Sequence, residues 1–190
     1  MKIGIYGGSF NPVHYGHLKC AQFVKEKFNL EKIIFVPVFH PYHRENSLLP
    51  FEMRVDLLEK AFEEPGCESF IVSRVEKALG TLSYTVDTLR ALKSHYVDGE
   101  FYEIIGEDSY DYFTTWKEYE EILKLSKVVV LAREGKVLKS FDKNIEIVAN
   151  PIISISASDV RRRVKESESL EGLIPNQCIE YLSEKCVWRV

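Results

Sequence analysis

The sequence predicts a doubly wound, Rossmann-like α/β fold with a parallel sheet and a C-terminal helical cap. Three observations support this. Apolar segments alternate along the chain with segments in which apolar residues recur at helical spacing. Three of the strand-like segments are continuous apolar runs, which is typical of strands covered by helices on both faces. The 190 residues, 45% of them hydrophobic, are enough for one domain with a substantial core.

Six segments are predicted to be strands because they are short, apolar and rich in β-branched or aromatic residues. They are Lys2–Tyr6, Ile33–Val36, Phe70–Ser73, Tyr102–Ile105, Lys127–Ala132 and Ile145–Val148. Three helices are predicted between them from apolar positions three and four residues apart. The first starts at His14 or Tyr15 and ends at Phe28, and the others cover Phe51–Phe62 and Thr85–Tyr96. In such folds ligands bind at the carboxyl ends of the strands.

The chain after Pro151 predicts a helical cap and not a second domain. One helix begins near Ser156, and another runs from Asn176 to about Lys185. No internal repeat and no long linker interrupts the sequence. Residues 1–190 are therefore interpreted as a single domain, with the cap starting at about residue 156.

Composition excludes several classes of protein. The 25 Lys and Arg residues against 29 Asp and Glu residues give a net charge of -4, whereas a nucleic-acid binder that ignores base sequence needs a basic face. The longest apolar run, Ile33–Phe39, is far shorter than the roughly 20 residues of a membrane span. The four cysteines lack any paired or zinc-finger spacing, so free thiols are expected. We expect a cytoplasmic protein with neither a nucleic acid nor a membrane as partner.

The turn after the first predicted strand carries the clearest chemical signal. Gly7 and Gly8 allow a sharp turn and a close approach to a ligand, and the following helix offers N–H groups and a dipole to an anion. His14 and His17 are three residues apart and share one face of the first helical turn, with Gly16 leaving space beside them. By themselves, two histidines at this spacing are more typical of a plain turn with surface imidazoles.

A second candidate anion site lies at the start of the predicted cap. Ser156 and Asp159 have the spacing of a capping box, and Arg161 follows on the same helix. An ordinary capped helix whose arginines face solvent accounts equally for these residues when they are taken alone.

Taken together, the two segments resemble the signatures of the nucleotidyltransferase superfamily. The chain from Gly7 to His17 matches Gly-Gly-Ser/Thr-Phe-Asp/Asn-Pro-x-His-x-Gly-His at every specified position. The chain from Ile155 to Arg161 resembles the second signature, with Ala157 in place of the commonest serine. The resemblance implies adenylyl transfer from ATP with Mg²⁺, by positioning and charge stabilisation, with no covalent intermediate and no general base.

The same resemblance implies roles for individual residues. The implied catalytic residues are His14, His17 and Arg161. The implied ATP-binding residues in the two signatures are Gly7, Gly8, Ser9, Phe10, Gly16, Ser156 and Ser158. No resident metal site is implied, since Mg²⁺ arrives with the triphosphate.

Three further segments resemble those of bacterial nicotinate-mononucleotide adenylyltransferases. Pro41–Arg44 resembles Pro-Pro-His-Lys with two departures, Ser83–Leu89 matches Ser-Tyr-Thr-x-Asp-Thr-Leu, and Ile104–Trp116 resembles a third block, with Glu107 replacing its usual alanine. The blocks follow the family's order over about residues 1–185. The resemblance implies nicotinate mononucleotide as the second substrate, with nicotinate adenine dinucleotide and pyrophosphate as products.

This second resemblance also assigns residues. Gly106 and Asp108 are implied to bind ATP, with Asp108 accepting hydrogen bonds from ribose hydroxyls. The implied second-substrate residues are His43, Arg44, Ser83, Tyr84, Thr85, Tyr112, Trp116 and Arg133. A carboxylate suits Thr85 because that residue starts a predicted helix, and a pyridine ring suits Trp116.

Several alternatives stay open. The acceptor could be nicotinamide mononucleotide or phosphopantetheine. The protein could instead be a non-catalytic nucleotide sensor on the same fold. A third alternative is a zinc site formed by two His-x-x-His pairs, which are His14 with His17 and His40 with His43. The sequence does not determine the oligomeric state, and a homo-oligomer is one outcome.

Overall fold

The computed structural model, which describes residues 1–40, 48–132, 138–149 and 155–188, contains one sheet of six parallel strands. The strands are β1 (Lys2–Gly8), β2 (Lys32–Pro37), β3 (Phe70–Val72), β4 (Glu100–Gly106), β5 (Ser126–Ala132) and β6 (Ile145–Ala149). Their order across the sheet is β3-β2-β1-β4-β5-β6, and every neighbouring pair is parallel. The predicted doubly wound α/β fold is confirmed.

Helices connect the strands and follow the last one. They are α1 (Tyr15–Phe28), α2 (Phe51–Ala61), α3 (Val75–Leu79), α4 (Thr85–His95), α5 (Glu107–Tyr110), α6 (Tyr119–Leu125), α7 (Ala157–Lys165) and α8 (Asn176–Glu184). A single 3₁₀ turn, Phe113–Thr115, lies between α5 and α6. Within the described ranges, no helix is long and apolar enough to cross a membrane.

The sheet separates two hydrophobic clusters, as the alternation of side chains along β2 illustrates. Ile33 and Phe35 pack with residues of α1, α2 and α8, whereas Ile34 and Val36 pack with residues of α4 and α6. Successive side chains of a strand point to opposite faces, so a strand covered on both sides needs apolar residues at every position. The continuous apolar run in the sequence has this cause.

The C-terminal cap packs onto the first of these clusters. Cys178 and Leu182 of α8 are buried in it, and the Tyr181 hydroxyl donates to the Asp56 carboxylate of α2 over 2.6 Å. The Tyr15 amide at the start of α1 donates to the carbonyl of Leu173 over 2.9 Å. This shared core supports the proposal that residues 1–190 form a single domain.

One strand carries a carboxyl group that the hydrophobic pattern conceals. Glu103 lies within the apolar stretch of β4, between Ile5 of β1 and Val128 of β5, and only 3% of its surface is exposed. Burial, and secondarily the charge of Glu76, raises the pKa of Glu103 well above its usual range. A protonated carboxyl is compatible with a strand interior where a carboxylate is not.

The strand order creates an open crevice at the carboxyl ends of β1 and β4. From β1 the chain builds outward through β2 to β3, then returns to place β4 on the other side of β1, so the order reverses between these two strands. Both strands end in glycine, and a Cβ atom added to Gly7 or Gly106 would meet no atom within 4 Å. The crevice is therefore free of side chains from these two positions.

Candidate active site

His14 and His17 form a stacked pair at the amino end of α1. Their ring centroids lie 3.7 Å apart with an interplanar angle of 29°. His14 is the N-cap of α1 in an extended conformation, and its backbone N–H donates to Nδ1 of His17 over 3.2 Å. Since Nδ1 of His17 accepts this bond, a neutral His17 carries its ring proton on Nε2. The pair thus has a defined tautomer at one ring.

Phe10 packs against the imidazole of His17. The residue adopts a left-handed backbone conformation, with φ of 43°, and its ring is 1% exposed. It contacts His17 edge-on with the ring centroids 5.1 Å apart, and it also packs against Tyr6 and Phe35. A Cβ atom at Gly8 would lie only 3.1 Å from the Phe10 ring, so the second glycine of the turn makes room for this ring.

Burial keeps both histidines uncharged near neutral pH. It lowers the pKa of His14 to about 4. It also lowers the pKa of His17 well below the ordinary value, and the neighbouring His14 adds to this shift. A neutral imidazole can donate one hydrogen bond while accepting another, and His17 accepts one at Nδ1, which leaves Nε2–H as a donor. His14 is 6% exposed and so differs from the surface histidine of the plain-turn interpretation.

We expect the His14 ring to stay neutral in the free protein from pH 7 down to pH 5. Its folded-state pKa lies below the value of 6.5 for an exposed histidine, so its contribution to stability is present above pH 6.5 and is lost as the pH falls towards 4. The ring C2 proton, assigned by its absence in His14→Asn, can be followed by NMR during titration. A midpoint between pH 6 and 7 would contradict this expectation.

The start of α7 approaches the loop between β1 and α1, which carries His14. Arg161 Nη1 donates to the carbonyl of Asn11 over 2.7 Å, which brings its guanidinium to the loop that carries His14. The Ser156 hydroxyl caps α7 by accepting from the Asp159 amide over 3.2 Å, and it lies 3.0 Å from the Ser158 hydroxyl. Arg161, Ser156 and Ser158 are therefore gathered at one helix end.

The predicted capping box is only half formed, and the next two arginines are not simply solvated. The Asp159 carboxylate accepts from Arg162 over 2.8 Å and from Arg163 over 2.9 Å instead of turning back to the Ser156 amide. Arg162 also pairs with two glutamates. Both arginines are thus held in an ion-pair network on α7.

Beside the carboxyl end of β4 a cleft of about 950 Å³ opens between α4 and α5. It is large enough for a mononucleotide. Six of the predicted site residues line it, namely Ser83, Tyr84, Thr85, Asp108, Tyr112 and Trp116. They come from segments more than 20 residues apart in sequence, and the fold brings them to one place.

The residues that line this cleft differ in chemical character. Thr85 is the first residue of α4, where helix amides lack intrahelical acceptors and favour an anion. Trp116 is half-buried, with its ring packed on Phe113 at 5.4 Å between centroids, and Tyr112 is 67% exposed. Asp108 is the second residue of α5, whose N-cap is Gly106, so Asp108 does not itself cap that helix.

Comparison with known proteins identifies the family of this chain. Residues 5–163 match the model of the family described as cytidylyltransferase-like. A probable nicotinate-nucleotide adenylyltransferase of Fusobacterium nucleatum is 40% identical over 97% of this chain and 98% of its own. A second protein of the same description, from Thermotoga maritima, is 38% identical over 93% of this chain and 88% of its own. The chain belongs to the nicotinate-nucleotide adenylyltransferase family.

The solved structures agree on the fold. The Plasmodium falciparum nicotinic acid mononucleotide adenylyltransferase complexed with NaAD superposes with a TM-score of 0.83 at 20% identity, covering 98% of this chain and 97% of the other. A putative nicotinate-nucleotide adenylyltransferase from Vibrio parahaemolyticus gives a TM-score of 0.75 at 18% identity, over 98% and 94% of the two chains. As a member of the nicotinate-nucleotide adenylyltransferase family, the protein is a nucleotidyltransferase.

Some residues that the family resemblance singles out cannot be placed. His43, Arg44 and Arg133 lie outside the described residues. Among the residues that are described, no three His, Cys, Asp or Glu side chains gather in a metal-binding arrangement. His40, which pairs with His43 in the alternative zinc site, is exposed.

The structure adds two residues of the cleft region that sequence reasoning missed. Lys117 lines the cleft, with Nζ 2.8 Å from the Asp87 carboxylate and 4.7 Å from the centre of the Tyr84 ring. Glu76, which is 7% exposed, accepts from the Phe39 amide over 2.9 Å and hydrogen-bonds to Ser83 of the cleft. Neither lies in a motif of the nicotinate-nucleotide adenylyltransferase family identified above, and no local pattern marks them.

Proposed function

We propose that this protein transfers the AMP moiety of ATP to nicotinate mononucleotide, which yields nicotinate adenine dinucleotide and pyrophosphate. A phosphate oxygen of the mononucleotide attacks the α-phosphorus of ATP and forms a new P–O bond. The bond from the α-phosphorus to the bridging oxygen breaks, and pyrophosphate leaves with its electron pair. We call His14, His17, Ser156, Ser158 and Arg161 the phosphate-type cluster. One observation carries the proposal: this cluster and a mononucleotide-sized cleft lie at the ends of the adjacent strands β1 and β4.

The phosphate-type cluster would bind and polarise the triphosphate. His14 and His17 are neutral, so they act as hydrogen-bond donors to phosphate oxygens and not as cations or bases. Arg161 supplies positive charge, and the hydroxyls of Ser156 and Ser158 supply further donors at the start of α7. Preorganised donors of this kind stabilise the charge that develops in the transition state. The glycines at the end of β1 let the phosphates approach the backbone.

The attacking group needs no general base. A phosphate monoester is already ionised at neutral pH, so the chemistry requires alignment and charge stabilisation only. We propose that Mg²⁺ enters with ATP as part of the substrate, because it prefers phosphate and water oxygens in octahedral geometry. Neutral histidine donors and one arginine suit a triphosphate whose charge a metal ion already reduces.

The cleft would hold the nicotinate mononucleotide. We propose that the pyridine ring stacks on Trp116 and that its carboxylate meets the amino end of α4 at Thr85. Asp108, at the boundary between the cleft and the end of β4, would accept hydrogen bonds from a ribose of ATP. A carboxylate at a helix amino end is favoured by the amides and by the dipole, whereas a neutral carboxamide gains much less.

The proposed acceptor can be tested by its products. Purified protein with ATP and Mg²⁺ is offered nicotinate mononucleotide, nicotinamide mononucleotide or phosphopantetheine, with pyrophosphate release and product mass as readouts. We expect kcat/KM for nicotinate mononucleotide to exceed that for nicotinamide mononucleotide about 10- to 100-fold, as for one charge-assisted hydrogen bond. Equal values would refute the role of the α4 amino end. Binding of ATP without turnover of any acceptor would favour a nucleotide sensor.

A further inference from the structure

Arg54 is the largest fully buried side chain among the described residues, with 2% of its surface exposed. It lies on α2, and its guanidinium donates to three backbone carbonyls. Nε donates to Leu49 over 3.0 Å, Nη1 to Ser9 over 2.9 Å and Nη2 to Val38 over 2.7 Å. These carbonyls belong to the loop after β1, the segment after β2 and the segment before α2. One planar group thus joins three segments of chain.

Joining these segments through a buried charge costs the desolvation free energy of the guanidinium. Burial lowers the pKa of Arg54, and the charge of Glu76 opposes this shift. Apolar residues of the same volume generally stabilise a core as well as a buried charge does. The guanidinium is distinguished by geometry, because its rigid fork holds several acceptors at fixed relative positions.

The segment after β2 is also held through its backbone amides. The Glu76 carboxylate accepts from the Phe39 amide over 2.9 Å. The Ser83 hydroxyl accepts from the Phe39 amide over 3.2 Å and from the His40 amide over 3.1 Å, and it also hydrogen-bonds to Glu76. Residues Val38 to His40 are thus fixed by Arg54 at a carbonyl and by Glu76 with Ser83 at two amides.

These contacts connect the two halves of the candidate active site. Ser9 belongs to the turn that precedes the histidine pair, and Ser83 begins the block that lines the cleft. The connection runs from Ser9 through Arg54 to Val38, and from the Phe39 and His40 amides to Ser83. Its members come from the β1 loop, the β2 segment, α2, α3 and the chain before α4. The Ser83 hydroxyl is accordingly occupied within the protein.

We propose that Arg54 is a positioning residue for adenylyl transfer. It holds the loop after β1, which contains Ser9 and leads to His14, at a fixed place relative to the cleft that begins at Ser83. The inference rests on the proposed function, because in-line attack depends on the relative placement of two substrates. A displacement of about 1 Å at such a site costs on the order of 10²-fold in rate. Arg54 touches neither substrate in this scheme, so its loss affects the rate of the chemical step more than the binding of either substrate.

The principal variant is Arg54→Lys, which keeps the charge but concentrates its donors on one nitrogen that cannot span three carbonyls. We expect kcat to fall about 10²-fold, with the KM for ATP and the KM for nicotinate mononucleotide each within about threefold of wild type. In Arg54→Ala, guanidinium chloride at low millimolar concentration should restore kcat at least about tenfold, and ammonium chloride should not. A wild-type kcat in Arg54→Lys would overturn the proposal.

Leu57→Ala is the matched control for destabilisation. Leu57 lies on the same helix, is fully buried and packs in the hydrophobic cluster, so its truncation costs stability without touching the three carbonyls. We expect a lower Tm for Leu57→Ala but a kcat within about twofold of wild type at a temperature where it is folded. A loss of kcat in this control as large as that in Arg54→Lys would reduce Arg54 to a structural residue.

Amide hydrogen exchange separates this inference from the proposed function. In Arg54→Lys we expect faster exchange at Ser9, Phe10 and the Val38–His40 segment, with little change in β4 and β5. Unchanged exchange at these positions would overturn the positioning role whatever the substrate. Inactivity of the wild-type protein on nicotinate mononucleotide would instead count against the proposed function alone.

Discussion

Replacing His17 with alanine is expected to lower kcat by about 10³-fold, the upper end for loss of one preorganised donor. The reason lies in its tautomer. The His14 amide occupies Nδ1 of His17, so the ring proton sits on Nε2 and is presented in a fixed orientation by the edge contact with Phe10. A water molecule in the vacated space could not hold a donor at the same place.

The fold should survive this change. His17 is half-buried, and loss of the acceptor for the His14 amide lowers the free energy of unfolding by about 1 kcal/mol. Steady-state kinetics with pyrophosphate release, together with circular dichroism and Tm, would measure both effects. His95→Ala, which removes an exposed imidazole at the far end of α4, is the control and should keep wild-type kinetics. Near-wild-type turnover of His17→Ala would refute the assigned mechanism.

Replacing Arg161 with alanine is expected to lower kcat/KM for ATP by about 10²-fold. Its guanidinium contacts the loop that carries His14 through the 2.7 Å hydrogen bond to the Asn11 carbonyl. A charged donor to a phosphate oxygen that gains negative charge is worth several kcal/mol in a site shielded from water. Because the charge acts on the leaving pyrophosphate as well as on bound ATP, both kcat and KM should change.

Arg162→Ala provides a control at the adjacent position of the same helix. Arg162 is 45% exposed and pairs with Asp159, Glu166 and Glu168, so its removal breaks surface ion pairs that are worth little. We expect its kcat/KM to stay within about twofold of wild type. Similar losses in the two variants would show that the net charge of α7 matters and that the contact of Arg161 with the loop does not.

Local sequence patterns predicted the longer elements closely. The apolar period predicts that helix α1 starts at His14 or Tyr15 and ends at Phe28, and the helix spans Tyr15–Phe28. Its apolar stripe lies on one face over 14 residues, and Asn29 ends it in the left-handed conformation. The six strands were predicted to within two residues at each end, because a strand buried on both faces needs an unbroken apolar run.

The same patterns do not predict the short helices. Helices α3, α5 and α6 have 5, 4 and 7 residues, and fewer than two turns do not display a helical period. They matter to the site, since α5 carries Asp108 and α3 carries Glu76. Their positions are set by packing against the sheet, which acts between residues distant in sequence.

The motifs single out candidate site residues but do not show what each side chain contacts. Ser83 belongs to a block associated with the second substrate, yet its hydroxyl binds the Phe39 and His40 amides and Glu76. Arg54 lies in a helix whose apolar period accounts for its neighbours, and nothing in the local pattern distinguishes it from a solvated arginine. Only the fold shows that it is buried against three carbonyls.

The sequence by itself determined the fold class and the family and singled out the residues that we expect to carry the chemistry, because strand and helix periods and contiguous motifs are local properties of the chain. The tertiary structure decided which of those residues meet, which histidines are neutral, and how the loop that carries His14 is joined to the cleft. Burial and hydrogen bonding between segments set these properties. The connection from Ser9 through Arg54 to Ser83 spans more than 70 residues of chain, a distance at which no sequence period carries information.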